Sequence, residues 1–114
     1  MADPECLFCR IVAGEVPATV VREGERTMAF RDINPQASTH VLVIPREHHA
    51  DVASLAAADP EALAELVREA AAAALDDGHV GHRLVFNTGP DAGQTVFHVH
   101  GHVLAGRSFS WPPG

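Results

Sequence analysis

The period of apolar and polar positions changes several times along this chain, and each change marks an element. Residues 6–13, CLFCRIVA, read as a short helix that buries Leu7, Phe8, Ile11 and Val12 and stops at Gly14. Residues 19–32, TVVREGERTMAFRD, read as two short strands around a Glu-Gly-Glu turn. Asn34-Pro35 breaks that pattern, and HVLVIP, residues 40–45, is a further strand ended by Pro45. From Asp59 as N-cap and Pro60 as first helical residue, Leu63, Leu66, Val67, Ala70 and Ala74 recur at helical spacing as far as Gly78. This is the one long helix. HRLVFNTG, residues 82–89, reads as another strand that enters the Gly-rich turn PDAGQ and then the run FHVHGHVL, residues 97–104.

That last run alternates strictly. In a strand, side chains two apart share a face, so His98, His100 and His102 would line up about 6 to 7 Å apart. Phe97, Val99, Gly101 and Val103 would form the opposite face, packed under a helix. Five strands with mostly hairpin-length connections, plus one long and one short helix, predict an α+β domain: a five-stranded antiparallel sheet with its helices on one face. At 114 residues the chain, 1–114, is expected to be a single domain, large enough for one core.

Composition then narrows the function. Net charge is −7 and the eight basic residues are scattered, so no electrostatic footprint exists for a nucleic-acid backbone or an anionic membrane. A single phosphate ester remains compatible, because backbone N–H groups and a few placed donors bind one without net positive charge. Every basic residue is Arg, and Lys and Tyr are absent. Schiff-base chemistry, a Walker lysine and a tyrosine nucleophile are thereby excluded. The acidic N-terminus lacks the features of a secretory leader, and Asp59, Pro60 and several charges interrupt the longest apolar-looking stretch, so a soluble cytoplasmic protein is expected.

Three alternating histidines require a reason. Aligned imidazoles repel once protonated, and a core strand would gain more from Val or Ile. Two chemistries suit them: metal binding with help from other segments, or catalysis by a neutral imidazole. The turn just ahead, NTGPDAGQTV, offers Asn87, Gln94 and Thr95 as neutral donors, and Gly89 and Gly93 as places where backbone N–H groups can approach an anion. It is not a P-loop, since it lacks the lysine and leads into a strand. A phosphate held there would lie within reach of His100, whose attack on phosphorus would form a phosphoimidazole intermediate. Cys6 and Cys9 form Cys-x-x-Cys, open to three readings: a redox dithiol, half of a zinc site, or two buried thiols on one helix. A thioredoxin-like motif should follow a strand, and only five residues precede Cys6.

The run His98-Val99-His100-Gly101-His102-Val103-Leu104 resembles the signature of the histidine triad (HIT) superfamily. The resemblance extends over the Phe8–Ile11 helix, AFRDINPQASTHVLVIP, the Asn87–Thr95 turn and the terminal Trp111-Pro112-Pro113-Gly114. That tail is similar to the Hint branch of nucleoside phosphoramidases more than to the Fhit branch of dinucleoside polyphosphate hydrolases. The resemblance implies an α+β fold, a homodimer, and a purine nucleoside monophosphate or phosphoramidate in the pocket. It implies His100 as the nucleophile, with its Nδ1–H held by the carbonyl of His98, and His102 beside the phosphate. His40 would assist proton transfer from behind, and Asn87, Gly93, Gln94 and Thr95 would surround the phosphate. Asp32 would take the ribose hydroxyls, while Phe8, Ile11, Phe30 and Ile33 would enclose the base.

The implied reaction is hydrolysis of a P–N bond through a nucleotidyl-histidine, with no metal needed in the chemistry. The same resemblance implies a structural zinc held by Cys6, Cys9, His48 and His98. Rival functions are a dinucleoside polyphosphate hydrolase of the same superfamily and a nucleotide-binding regulator with incidental turnover. Two positions depart from the family pattern. Thr95 replaces a common Ser and keeps the hydroxyl, and Gly101 replaces a larger apolar residue, which is expected to leave space on an inner strand.

Overall fold

The hairpin expected around Gly24 begins the sheet: β1 (Val20–Glu23) pairs antiparallel with β2 (Thr27–Arg31), with Val20 opposite Phe30 and a register irregularity between Val20 and Arg22. The structure is a computed structural model that describes residues 2–114. Strand β3 (Thr39–Pro45) pairs antiparallel with β2 and with the last strand, β5 (Gly101–Ala105), and β4 (Arg83–Val85) closes the other edge. The order is β1-β2-β3-β5-β4, the antiparallel five-stranded α+β sheet expected from the pattern.

The helices differ from expectation in number and in side. Three α-helices form: α1 (Leu7–Val12), α2 (Val52–Ala58) and α3 (Pro60–Asp76), with a 3-10 turn at Pro90–Ala92. Asp51 caps α2 by accepting from Ser54 N at 2.9 Å. Asp59 ends α2 and caps α3, because a residue before proline is pushed out of the helical region and its freed side chain accepts from Ala62 N. No helix among the described residues is long and apolar enough to cross a membrane.

Helices cover both faces rather than one. Odd-numbered residues of the central strands, Ala29, Val41, Val43, Val103 and Ala105, pack with Val99 against Leu55 of α2 and Leu66, Ala70 and Ala74 of α3. Even-numbered ones, Met28, Phe30, Leu42 and Ile44, pack against Phe8, Cys9 and Ile11 of α1. Strand β3 is apolar at both parities from Val41 to Ile44 and is buried throughout, so it needs a cover on each side. Leu7 and Val67, expected in the core, are exposed: each lies on the outward face of its helix, while Cys9 and Ala73 take the inward positions.

The histidine run is only half a strand. Ladder pairing starts at Gly101, opposite Val43, and residues 97–100 lie outside it, with the chain bending at Phe97 and His98. Pro45 at the facing end has no N–H to offer, Val99 N donates instead to His49 O, and the chain leaves the ladder there. Phe97 swings out to half-exposure rather than under the helix. Val99, Gly101 and Val103 do lie on the α3 side as predicted. Gly101 leaves no space: a Cβ there would meet Leu84 Cδ1 at 2.8 Å, with Leu66 and Phe86 at 3.2 Å.

Four carboxylates of α3 and its C-cap tie the helix to the sheet. Glu65 accepts from Arg26 N and Thr27 Oγ1. Glu69 and Asp76 take Arg22 of β1, and Asp77 takes Arg31 and Thr39 at the ends of β2 and β3.

Candidate active site

All three alternating histidines face the side covered by α1, and each has different partners. His98 is fully buried, and its Nε2–H donates to Pro45 O at 2.8 Å. That bond places the lone pair on Nδ1, which faces Cys6 Sγ at 3.4 Å and Cys9 Sγ at 3.6 Å. The carbonyl of His98 accepts the Nδ1–H of His100 at 2.8 Å. The lone pair of His100 is therefore on Nε2, which has no protein partner among the described residues. Burial lowers the His100 pKa below the ordinary histidine range, against the opposing effect of the His98 carbonyl, so a neutral nucleophilic imidazole is present at neutral pH.

The next pair continues the assignment of protons. Gln36 N donates to His40 Nδ1 at 3.0 Å, so the one proton of neutral His40 sits on Nε2. That Nε2–H donates to His102 Nδ1 at 2.9 Å and leaves His102 with its own proton on Nε2. The His100 and His102 rings are neighbours, 5.0 Å apart between centroids, so the imidazole that carries the free lone pair and the one that carries the Nε2–H adjoin. Burial, then the proximity of His100 and His40, pushes His102 down to about 4. Burial also lowers His40, opposed by Asp32, whose Oδ2 lies 3.4 Å from His40 Nε2. Asp32, His40 and His102 are close enough to share an ion. Ligation through His40 Nε2 would move its proton to Nδ1, against the Gln36 N–H, so the geometry suits a proton-bearing pair better than a metal.

Beside this pair lies an apolar cleft of about 180 Å³. Phe8 and Ile11 of α1 and Phe30 and Leu42 of the sheet line it, with Asp32 and exposed Ile33 at its rim. Phe8 belongs to both regions: its ring meets Phe30 at 5.5 Å and the edge of His100 at 5.1 Å between centroids. The structure thus brings Phe8, Ile11, Phe30, Ile33 and Asp32 together. It adds Leu42, Val16 and Pro17, which no sequence signal marked. A larger concavity, about 500 Å³, borders Cys6 and His48 between Leu7, Thr95 and Phe97.

The Gly-rich turn is built differently from expectation at one residue. Gly89 and Gly93 have φ of 85° and 96°, which side chains rarely tolerate. Gln94 is buried, with Nε2 donating to Ala50 O and Val96 O, and Oε1 accepting from Gly89 N. Its side chain holds the turn and has no donor left for a phosphate. Asn87 is half-buried with its amide beside Gly93, and Thr95 is exposed.

A second cluster joins Cys6, Cys9, His48 and His98, whose ligand atoms all lie within 4.8 Å of one another. His48 Nδ1 is 3.4 Å from Cys9 Sγ, matching the His98 spacings. Tetrahedral zinc with Zn–S near 2.3 Å and Zn–N near 2.0 Å requires S···N edges of about 3.5 Å. The Pro45 carbonyl behind His98 is the outer partner that orients a ligating imidazole. Burial raises the Cys9 thiol and lowers His98 to about 4, as expected where charge is unfavourable without a counter-ion. These four residues can hold a metal ion.

Fold and site together define an α+β protein with a three-histidine centre on an antiparallel sheet, next to a Cys/His cluster fit for a metal. Comparison with known proteins gives the family. The HIT domain pattern matches residues 13–109, and the chain belongs to the HIT domain family. It is 44% identical over 116 residues to a 14 kDa zinc-binding protein of Zea mays, covering 98% of this chain and 90% of that protein. It is 38% identical over 126 residues to the adenylylsulfatase HINT1 of Arabidopsis thaliana, covering 99% of this chain and 79% of that one. A crystal structure of a HIT family hydrolase from Legionella pneumophila superposes with TM-score 0.91 at 48% identity, over 96% of this chain and all of that one.

Proposed function

We propose that this protein hydrolyses P–N bonds in purine nucleoside 5'-phosphoramidates through a covalent nucleotidyl-His100 intermediate. One observation carries the reading: His100 presents an unprotonated Nε2, fixed by the His98 carbonyl, beside an apolar cleft that ends in a carboxylate. The cleft suits a flat base, and Asp32 at its rim suits ribose hydroxyls as acceptor. His100 Nε2 attacks phosphorus and the P–N bond breaks as the leaving nitrogen takes up a proton drawn from solvent through the His40–His102 pair, so the amine departs neutral and both imidazoles end neutral. Positioned proton donation contributes about 10²- to 10⁴-fold in such reactions. Water then attacks the adduct and releases the nucleotide. Asn87, the Gly93 backbone and Thr95 stabilise the phosphoryl oxygens, and Gln94 acts through the shape of the turn. The name of the Arabidopsis relative, a sulfatase of an adenylyl group, supports a nucleoside monophosphate as the transferred unit.

Zinc is the metal that best fits Cys6, Cys9, His48 and His98, and closed four-ligand coordination makes it structural. The name of the maize relative supports that choice. Two copies are proposed to pair through the edge at β4 and exposed Val67 of α3, which sedimentation tests.

The decisive experiment is hydrolysis of a fluorogenic adenosine phosphoramidate by wild type and His100→Asn. Turnover by wild type, with loss of at least about 10³-fold in the variant and retained AMP binding, is expected when the nucleophile is removed. Wild-type turnover in the variant would end the proposal. Faster cleavage of a dinucleoside polyphosphate than of the phosphoramidate would favour the other hydrolase of the superfamily. Tight AMP binding with negligible turnover of either would favour a regulator.

A further inference from the structure

The carboxylate of Asp77 lies at the end of α3, on the opposite side of the sheet from the histidines, and the chemistry above gives it no task. A negative charge at a helix C-terminus opposes the helix dipole. Asp77 is nevertheless the C-cap of α3, with no basic residue in the last turn. Its oxygens are fully engaged: Oδ2 accepts from Arg31 Nη1 at 2.6 Å and Thr39 Oγ1 at 2.7 Å, and Oδ1 accepts from Arg31 Nη2 at 2.9 Å. Hydrogen bonds from Arg31 and then Thr39 hold this carboxyl down at about 2. A residue that breaks a local rule and is then so heavily partnered calls for a reason beyond the helix.

The reason lies in what the two partners bracket. Arg31 is the last residue of β2 and Thr39 the first of β3, so one carboxylate grips both ends of the loop 32–38. That loop brings Asp32 and Ile33 to the cleft, and its Gln36 N–H sets the tautomer of His40, which directly follows Thr39. Other anchors act farther along: Arg107 Nε donates to Gln36 O at 2.9 Å, and Ser38 Oγ donates to Gly106 O at 3.3 Å.

We propose that Asp77 is a positioning residue for the His40–His102 pair: its clamp on Arg31 and Thr39 keeps Gln36 N–H aimed at His40 Nδ1, and thereby keeps the proton of His102 on Nε2. The catalytic consequence rests on the reading of His102 as the proton-bearing partner of His100. Asp32 and His100 face the pair directly, and His79 lies near Asp77 on the far side. With the loop released, His40 samples both tautomers and water reaches the pair, so the pKa of His102 rises towards the ordinary value.

The neighbouring Asp76 supplies a matched control. It accepts from Arg22 Nη1 at 2.8 Å and ties the same helix end to β1, away from the loop. Asp77→Asn and Asp76→Asn are compared by nitrogen NMR of the imidazoles, pH titration and phosphoramidate turnover. In Asp77→Asn a mixed His40 tautomer, an upward shift of the His102 titration and a fall in kcat of about tenfold are expected, as for a modest loss of geometry. Asp76→Asn keeps wild-type tautomers, titration and kcat. If both variants lose melting temperature alike and both keep wild-type tautomers and kcat, Asp77 is only structural and the proposal is overturned. Thr39→Val releases the β3 end alone and is read in the same way should Asp77→Asn not fold. Absence of wild-type turnover would sink the phosphoramidase reading, while the tautomer measurement would still decide the clamp.

Discussion

His98 does three things with one residue. Its carbonyl fixes the tautomer of His100, its Nε2–H is anchored on Pro45, and its Nδ1 completes the cluster with the two cysteines. The first task belongs to the backbone, so His98→Ala would leave the His100 bond possible while removing one member of the Cys/His cluster. Gly101 shows the opposite economy, a missing side chain with three neighbours closed upon it. Gly101→Ala forces Leu84, Leu66 and Phe86 apart, and an overpacked core typically loses about 1–3 kcal/mol. Chemical denaturation should show that loss with unchanged m; an equally or more stable variant would mean that the neighbours yield freely. The special character of position 101 was legible in the sequence as a departure, but its sign was not. Whether a glycine leaves a gap or accommodates a close approach depends on residues 15 to 35 positions away that only packing brings near.

At the scale of elements, α1 is the piece most dependent on its surroundings. Six residues are too few for a helix to be stable alone, and a hydrophobic face plus the Cys/His cluster hold it on the sheet. Metal removal or Cys9→Ser should therefore loosen α1 first and carry Phe8 away from His100. Metal analysis of protein purified without chelators should find stoichiometric zinc in wild type and a deficit in Cys9→Ser. The variant should melt lower by about 10 °C, since about 1 kcal/mol corresponds to 4–8 °C in a domain of this size. Absence of zinc from both, with equal melting, would retire the structural metal. Spacing announced the Cys-x-x-Cys helix, whereas its position on the histidine face arises from β3, whose apolar residues at both parities demand two covers.

The whole molecule registers its buried neutral imidazoles and its clamped carboxylate as a dependence on acid. His102 is depressed to about 4, and His98 equally so in metal-free protein. Between pH 6.5 and 4 the unfolded chain takes up protons that these folded imidazoles refuse, so stability falls as pH drops through that window. Asp77, held at about 2 instead of 3.8, contributes stability that remains above 3.8 and disappears as pH falls towards 2. Melting followed from pH 8 to 2 should thus decline in two stages, and His102→Gln should flatten the first. A melting temperature constant from pH 6.5 to 4 would contradict the burial of these imidazoles as neutral groups.

By itself the sequence determined the antiparallel α+β class, the long helix, the alternation of the three histidines and the Cys-x-x-Cys pair, because periodicity and turn residues are local properties. Only the tertiary structure decided that the histidine run leaves the ladder at its first half, that Gln94 builds the turn, and that Asp77 grips the loop beneath His40. It also decided which nitrogen of each imidazole carries the proton. Those outcomes depend on carbonyls and N–H groups contributed by distant segments, Pro45, Gln36 and Ala50, whose directions exist only once the sheet has closed.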